Sequence, residues 1–444
     1  MSVADYSNNV KKVFIQPVFD STNFRSEFRF DNVGEIIASN LTLINHGATA
    51  DKPATYLRQL GLLALIKKIT LFDGNQKLTG LSEFNRYASF KKFNRTNNNS
   101  KCIDHYTDYN NLGCDVAGKY SIIGDNSSKD IEGGIQVIQE KHVNQMGMTF
   151  GATKTGMVNL NEHLHMLRKL SCLPTDTFKN LRLVIDYEQN FKSIVQDQTV
   201  GSIATLQPLL CVDVITNPEL ASQMLKVLTS QGGVSWNEIE HDRQVHQSSV
   251  NPPSTATDTV KDLRTHTFHG FDNKRLGKVV VVKEPLSKAS FTDASSSSLF
   301  PYGSLSSLSL FGERVQFRVN GSDVLSRTGF TGHNEMLGHM ADTFGEFVAP
   351  CGAVQSRITN MGGIAETNDR VERDVFNDYA NISGFQGYVG IDLSGVPINE
   401  LQIDMERAKV KNSATNNQDF NIHLFGEVPK ALMLQPNGYN VVYA

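Results

Sequence analysis

Two stretches of the chain spell nearly the same local structure, and this doubling limits the fold more than any other feature of the sequence. Residues 69–84 read ITLFDGNQKLTGLSEF and residues 315–336 read VQFRVNGSDVLSRTGFTGHNEM. Each begins with alternating apolar positions (Ile69 and Leu71; Val315, Phe317 and Val319), the period-two pattern of a strand with one buried face. Each then carries a turn pair, Asp73-Gly74 and Asn320-Gly321, of the kind that accepts the positive φ a tight hairpin requires. A second strand holding Leu78 or Leu325 follows, then Thr-Gly, then a helix start at Ser82-Glu83-Phe84 or Asn334-Glu335-Met336. There a small polar side chain accepts from free backbone N–H groups and an acid complements the helix dipole.

The echo extends in both directions. Phe28-Arg29-Phe30-Asp31-Asn32 stands before one apolar run, and Phe268 to Asn273 stands before the valines 279–282. Alternating strands at Leu181–Ile185 and Leu401–Met405, then at Leu209–Ile215 and Phe420–Val428, close the two halves. This order of elements describes two tandem copies of one β-rich domain. A length of 444 residues suits two such domains better than one core. The expected fold class is all-β: two tandem eight-stranded jelly rolls, a double jelly roll, with a few short helices and long loops.

Residues 1–22 lack a clear period and read as an N-terminal arm, followed by a first roll over 23–216 and a second over 234–444. Between them, 217–233 read as a linker helix, with Asn217 as cap, Pro218 in the first turn and Gly232-Gly233 as the stop. A further helix is expected over Asn161–Leu170 from the spacing of Leu164, Leu167 and Leu170. Three long excursions, 94–130 with seven asparagines, 286–311 with ten serines, and 353–387, read as surface loops.

The search for chemistry returns little. Glu162, His163 and His165 lack the further acid of a metal site, and His333 with His339 are too far apart for a helical zinc pair. His241, Asp242, His246, His266 and His269 read as surface positions. The acid-free run Arg86, Lys91, Lys92, Arg95, Lys101, interleaved with Tyr87, Phe90 and Phe93, has the composition of a nucleic-acid surface. Its spacing better fits a helix that packs its rings inward. With 42 basic and 46 acidic residues the chain has no field that selects polyanions. Five scattered cysteines without C-x-x-C pairs read as free thiols, and no apolar stretch reaches spanning length. No catalytic, cofactor or metal residues are assigned, and no enzyme activity is expected. The residues singled out are the hairpin turns Asp73, Gly74, Asn320 and Gly321.

The opening QPVFDSTNFRSEFRFDNVGEI, the hairpin at Asp73-Gly74 and LSEFNRYASF resemble the start of the double jelly-roll major capsid proteins. This lineage takes in tailless membrane-containing phages, adenovirus hexon, virophages and polinton-like viruses. The resemblance implies a structural capsid protein, made in the host cytoplasm and located in the virion, whose homotrimers form pseudo-hexameric capsomers of an icosahedral double-stranded DNA virus. Implied partners are neighbouring capsomers and minor capsid or penton proteins. The arm is expected to meet an internal membrane or the genome, without specific nucleic-acid recognition. The alternatives are a minor capsid or vertex protein of the same fold, or a carbohydrate-binding tandem β-sandwich; a single tryptophan, Trp236, gives the last little to stack sugars on.

Overall fold

The computed structural model describes residues 9–18, 24–31, 33–50, 63, 65–94, 154–170, 172–175, 177–189, 203–205, 207–230, 232–255, 257–285, 314–325, 329–330, 333–344, 389–411, 419–435 and 438–443. The long excursions, Asn94 apart, lie outside these residues.

The first half contains β1 (Val10–Ile15), β2 (Arg25–Arg29), β3 (Glu35–Ala50), β4 (Ile66–Asp73), β5 (Gln76–Ser82), α1 (Phe84–Asn94), β6 (Lys154–Asn159), α2 (His165–Lys169), β7 (Leu181–Tyr187), β8 (Ile203–Thr205) and β9 (Leu209–Ile215). Then come α3 (Pro218–Ser230) and the second half: β10 (Val234–His246), β11 (Thr259–Thr267), β12 (Lys274–Pro285), β13 (Arg314–Val319), β14 (Ser322–Asp323), α4 (His333–Phe344), β15 (Val389–Ile398), β16 (Leu401–Val410), β17 (Phe420–Gln435) and β18 (Gly438–Tyr443).

Four antiparallel sheets result. In the first half the strand orders are β1-β9-β3-β6 and β2-β7-β4-β5. In the second they are β10-β17-β12-β15 and β11-β16-β13-β14. With β8 and β18 set aside as accessory strands on β3 and β17, each half reads first-eighth-third-sixth against second-seventh-fourth-fifth. That order is the jelly roll, two facing sheets whose strands alternate between layers. The chain contains it twice, and the sequence echo falls on equivalent strands: Leu181–Ile185 and Leu401–Met405 are both seventh strands, and Leu209–Ile215 and Phe420–Val428 both lie in eighth strands.

Several local expectations differ from the structure. Val10–Ile15, expected within the arm, is the first strand of roll 1 and pairs along its length with Leu210–Ile215 of β9. Lys11-Lys12 breaks the apolar alternation of VKKVFI, so the local signal is weak, and pairing with a buried neighbour supplies what the sequence lacks. The expectation of an arm is left with residues 1–8, outside the described residues. The helix expected over Asn161–Leu170 is two pieces, a 3₁₀ turn at Leu160–Glu162 and α2, because Leu164 is extended at φ −104, ψ 99. Leu164, Leu167 and Leu170 are buried even so.

The hairpin turns also differ from each other. Asp73 pairs with Gln76, so the central residues of the first turn are Gly74-Asn75, and only Gly74 has positive φ (56°). In the second, Val319 pairs with Ser322 and both Asn320 (52°) and Gly321 (79°) are left-handed. Asp73 is therefore no turn centre. Its Oδ1 accepts from the Asn180 N–H at 2.7 Å and its Oδ2 from the Tyr439 hydroxyl at 2.8 Å, tying the hairpin to both halves of the chain.

Candidate functional site

The feature that sets this chain apart from a single roll is the seam where its two rolls meet. At the seam, α3 is capped by Asn217, whose Oδ1 accepts from Glu219 N–H at 2.9 Å and Leu220 N–H at 3.4 Å. Its amide donates to Asn9 Oδ1 at 3.0 Å, joining the cap to the start of β1.

The apolar part of the seam explains the four-valine run. Successive strand residues face opposite ways, and on β12 Val279 and Val281 enter the core of roll 2 while Val280 and Val282 enter the core of roll 1. On β17, Ile422 and Leu424 face roll 2 and Phe425 faces roll 1. Trp236 and Ile239 of β10 join the roll 1 core as well. The sheet β10-β17-β12-β15 is thus covered on both faces along the middle of β12 and β17, which is why the β12 sequence is a continuous apolar run instead of an alternation. Burying each such side chain contributes about 1.5–3 kcal/mol relative to leaving it in water. The helices that follow the fifth strands also meet: Phe90 of α1 lies edge-on to Phe344 of α4 with centroids 5.0 Å apart.

Polar groups lock the seam. Glu238 of β10, 2% exposed, accepts from Thr79 Oγ1, Gly80 N–H and Trp236 Nε1, each at 2.7 Å. A buried carboxylate is tolerated because these donors replace water. Thr79-Gly80 is the dipeptide of the repeated motif, and a Cβ on Gly80 would stand 2.6 Å from the Ile69 carbonyl oxygen, so only glycine lets the strands approach this closely. His165 of α2 donates from Nδ1 to the Asn237 carbonyl at 2.7 Å, and burial pushes its imidazole down to about 4.

Arg86 of α1 forms the centre of a second lock. Its Nε and Nη2 donate to Glu284 of β12 at 3.1 and 2.9 Å, a two-pronged grip across the seam. Nη1 donates to Glu188 at 3.1 Å, to Asn85 Oδ1 at 3.0 Å and to Glu83. Burial opposes the charge on this guanidinium, but Glu284, Glu83 and Glu188 outweigh it and raise the pKa above the ordinary arginine value. From Glu284 the network continues: His423 Nε2 lies 3.2 Å from Glu284 Oε2, and His241 Nε2 lies 3.0 Å from His423 Nδ1.

Against these positions the sequence expectations divide. The packing reading of the basic run holds for the rings of Tyr87 and Phe90, both buried; Arg86 is buried as well, which that reading did not include, and its guanidinium is held by carboxylates where a nucleic-acid surface would offer it to phosphate. Arg95 and Lys101 lie outside the described residues. The surface reading of the histidines is overturned at three of them. His246 is fully buried and His266 is 7% exposed, with His246 Nδ1 3.1 Å from His266 Nε2; His241 is half-buried against His423. His269 is exposed and pairs with Asp272. His163 packs edge-on to Phe84, and His339 packs on Phe330. Trp236 is buried and serves the seam. Glu188, Glu238, Glu284, His423 and Arg407 escaped the sequence reading. The available signal was a charge at an inward position of an apolar strand, as where Lys283-Glu284 ends the valine run.

Among the described residues no three His, Cys, Asp or Glu side chains are grouped to hold a metal ion, no helix is long and apolar enough to cross a membrane, and Cys172 and Cys211 are buried.

No protein-family model matches the sequence, and no curated protein matches it. Solved structures do. The Faustovirus major capsid protein superposes with a TM-score of 0.50 at 9% identity, over 96% of this chain and 90% of that one. The chain is a double jelly roll. The mavirus major capsid protein (TM-score 0.48, 9% identity, 98% of this chain and 90% of that one) and the PBCV-1 virus capsid (0.49, 11%, 98% and 97%) are further similar structures.

Proposed function

We propose that this double jelly roll is a major capsid protein that trimerises into a pseudo-hexameric capsomer of an icosahedral shell, without catalysis. The observation that carries the proposal is the seam: two rolls of one strand order, fused through a shared core in a head-to-tail contact. The α1 and β5 side of roll 1 meets the β10-β17-β12-β15 sheet of roll 2, so apart from the α1–α4 edge contact the two copies use different surfaces. A heterologous contact of this kind, repeated between chains, closes a ring when its rotation permits. Three two-roll chains then present six similar edges, which suits a lattice in which each tile has six neighbours.

In this reading the partners are two further copies of the chain, then adjacent capsomers and minor capsid or penton proteins, and the location is the virion. The test is light scattering on the purified chain, followed by negative-stain imaging. The expected result is a particle of about 150 kDa, three times the chain mass of 49.1 kDa, with a hexagonal outline. A monomer that persists at high concentration would refute it. Low copy number in purified virions would instead favour a minor vertex role.

A further inference from the structure

Among the described residues two imidazole pairs stand in hydrogen-bond contact, one inside the fold and one half-buried at its His241 side, and neither is needed to build a jelly roll. The first, His241 of β10 with His423 of β17, lies at the seam. The second, His246 of β10 with His266 of β11, bridges the two sheets of roll 2 where their first strands meet.

The chemistry of each pair follows from its distances. Nitrogens 3.0 and 3.1 Å apart share one hydrogen: one ring donates, the other accepts. In the first pair, the His241 Nε2–H pointing at His423 Nδ1 leaves the His423 Nε2–H for Glu284. A single added proton is accommodated by a change of tautomer. A second would set two N–H donors, both cationic, against each other.

We infer that the two pairs form an acid trigger, holding the seam and the open edge of roll 2 together while they carry at most one shared proton each and releasing both contacts when a second proton arrives.

The surrounding groups favour that reading. His241 is faced by His423 and Phe425 from β17, by Arg86 from α1 and by Arg243 on its own strand. Burial, then His423 and the two arginines, push it down to about 2. His423 meets Glu284 on β12 and lies in the field of Arg86 and Glu83; burial holds it low while the two glutamates oppose. His246 is faced by Arg407 from β16, by His266 and Asp262 from β11, and by the Phe420 ring of β17 stacked at 4.6 Å. Burial, then Arg407 and His266, push it down to about 4, against the Asp262 carboxylate 3.3 Å away. His266 is pushed down to about 4 by burial and Arg264, with Asp404 and Asp262 opposing.

A base held below its ordinary pKa stabilises the fold fully above the unfolded value, and that stability is lost as pH falls toward the folded value. For His246 and His266 the window runs from about 6.5 down to about 4. Across it the unfolding equilibrium constant rises by at least roughly 100-fold for the pair. The inference concerns the chain itself and does not rest on the capsid reading.

The test uses the full chain. Urea unfolding is followed by Trp236 fluorescence at about pH 7.5 and about pH 4.5, in the wild type and in His266→Gln/His423→Gln, where glutamine keeps a donor and cannot take the proton. The wild type is expected to lose stability on acidification and the variant to lose much less; equal losses overturn the inference. Histidine C2–H deuterium exchange on the folded wild type gives a reading that needs no variant. His246 and His266 are expected to titrate below pH 5, and titration of these two near about 6.5 also overturns it.

Discussion

Replacing Arg86 by methionine removes a cation that ties Glu188 of roll 1 to Glu284 of roll 2. The variant keeps most of the side-chain length and apolar contact, so what it loses is charge and hydrogen bonding. Five donated bonds disappear: two to Glu284 and one each to Glu83, Glu188 and Asn85. The carboxylates do not lose equally. Glu83 is 17% exposed and recovers water, Glu188 keeps the Asn85 amide at 3.3 Å, and Glu284 keeps His423 at 3.2 Å. Glu188 and Glu284, 3% and 2% exposed, remain as buried charges without their cation. Breaking a buried pair from one side costs about 3–5 kcal/mol. The retained partners set the expectation at the lower half of that range, about 3–4 kcal/mol.

Trp236 is the only tryptophan, so its fluorescence in a urea titration reports the seam directly, while circular dichroism follows both rolls. Arg86→Met should move the fluorescence transition by the stated amount, and Arg86→Met/Glu284→Gln should recover about 1–2 kcal/mol because one stranded charge is gone. A shift below about 1 kcal/mol would refute the assignment of Arg86 as a lock of the seam.

Gly74→Val and Gly321→Val are each expected to destabilise by about 1–2 kcal/mol. No atom lies within 4 Å of a Cβ at either site, so the cost is backbone strain alone, and equal thermal stability of valine and glycine would contradict the turn geometry. Gly80→Ala is expected to cost about 1–3 kcal/mol by overpacking against the Ile69 carbonyl, and to shift the Trp236 emission because Glu238 moves with it; an unchanged spectrum would count against the Glu238 lock.

Much of the architecture was legible in the sequence because it depends on local chemistry repeated in order. The Asn320-Gly321 hairpin, alternating seventh and eighth strands and a capped helix at Asn217 carry their own signals, whereas the Asp73-Gly74 pair marks its hairpin one residue off the turn centre. β1 was not legible, since its lysines hide a strand that exists only by pairing with β9. The seam was harder still. Nothing in the letters KVVVVKE says that alternate valines belong to different rolls, or that the glutamate ending the run reaches an arginine nearly two hundred positions earlier in the chain. The histidines illustrate the same limit: short-range pattern predicts exposure for a polar residue in a strand, while the partner that covers it comes from a different strand, β17 of the same sheet for His241 and β11 of the facing sheet for His246.

The doubly covered sheet of roll 2 also bears on how the two copies have diverged. Val280, Val282 and Phe425 must stay apolar on a surface that an isolated roll would present to solvent. A gene split at α3 would therefore yield a second product with a sticky flank, and exchanging the order of the copies would put that flank on the wrong side of the molecule. Two rolls of one strand order, joined face to flank, thus each cover apolar surface that the other would leave in water.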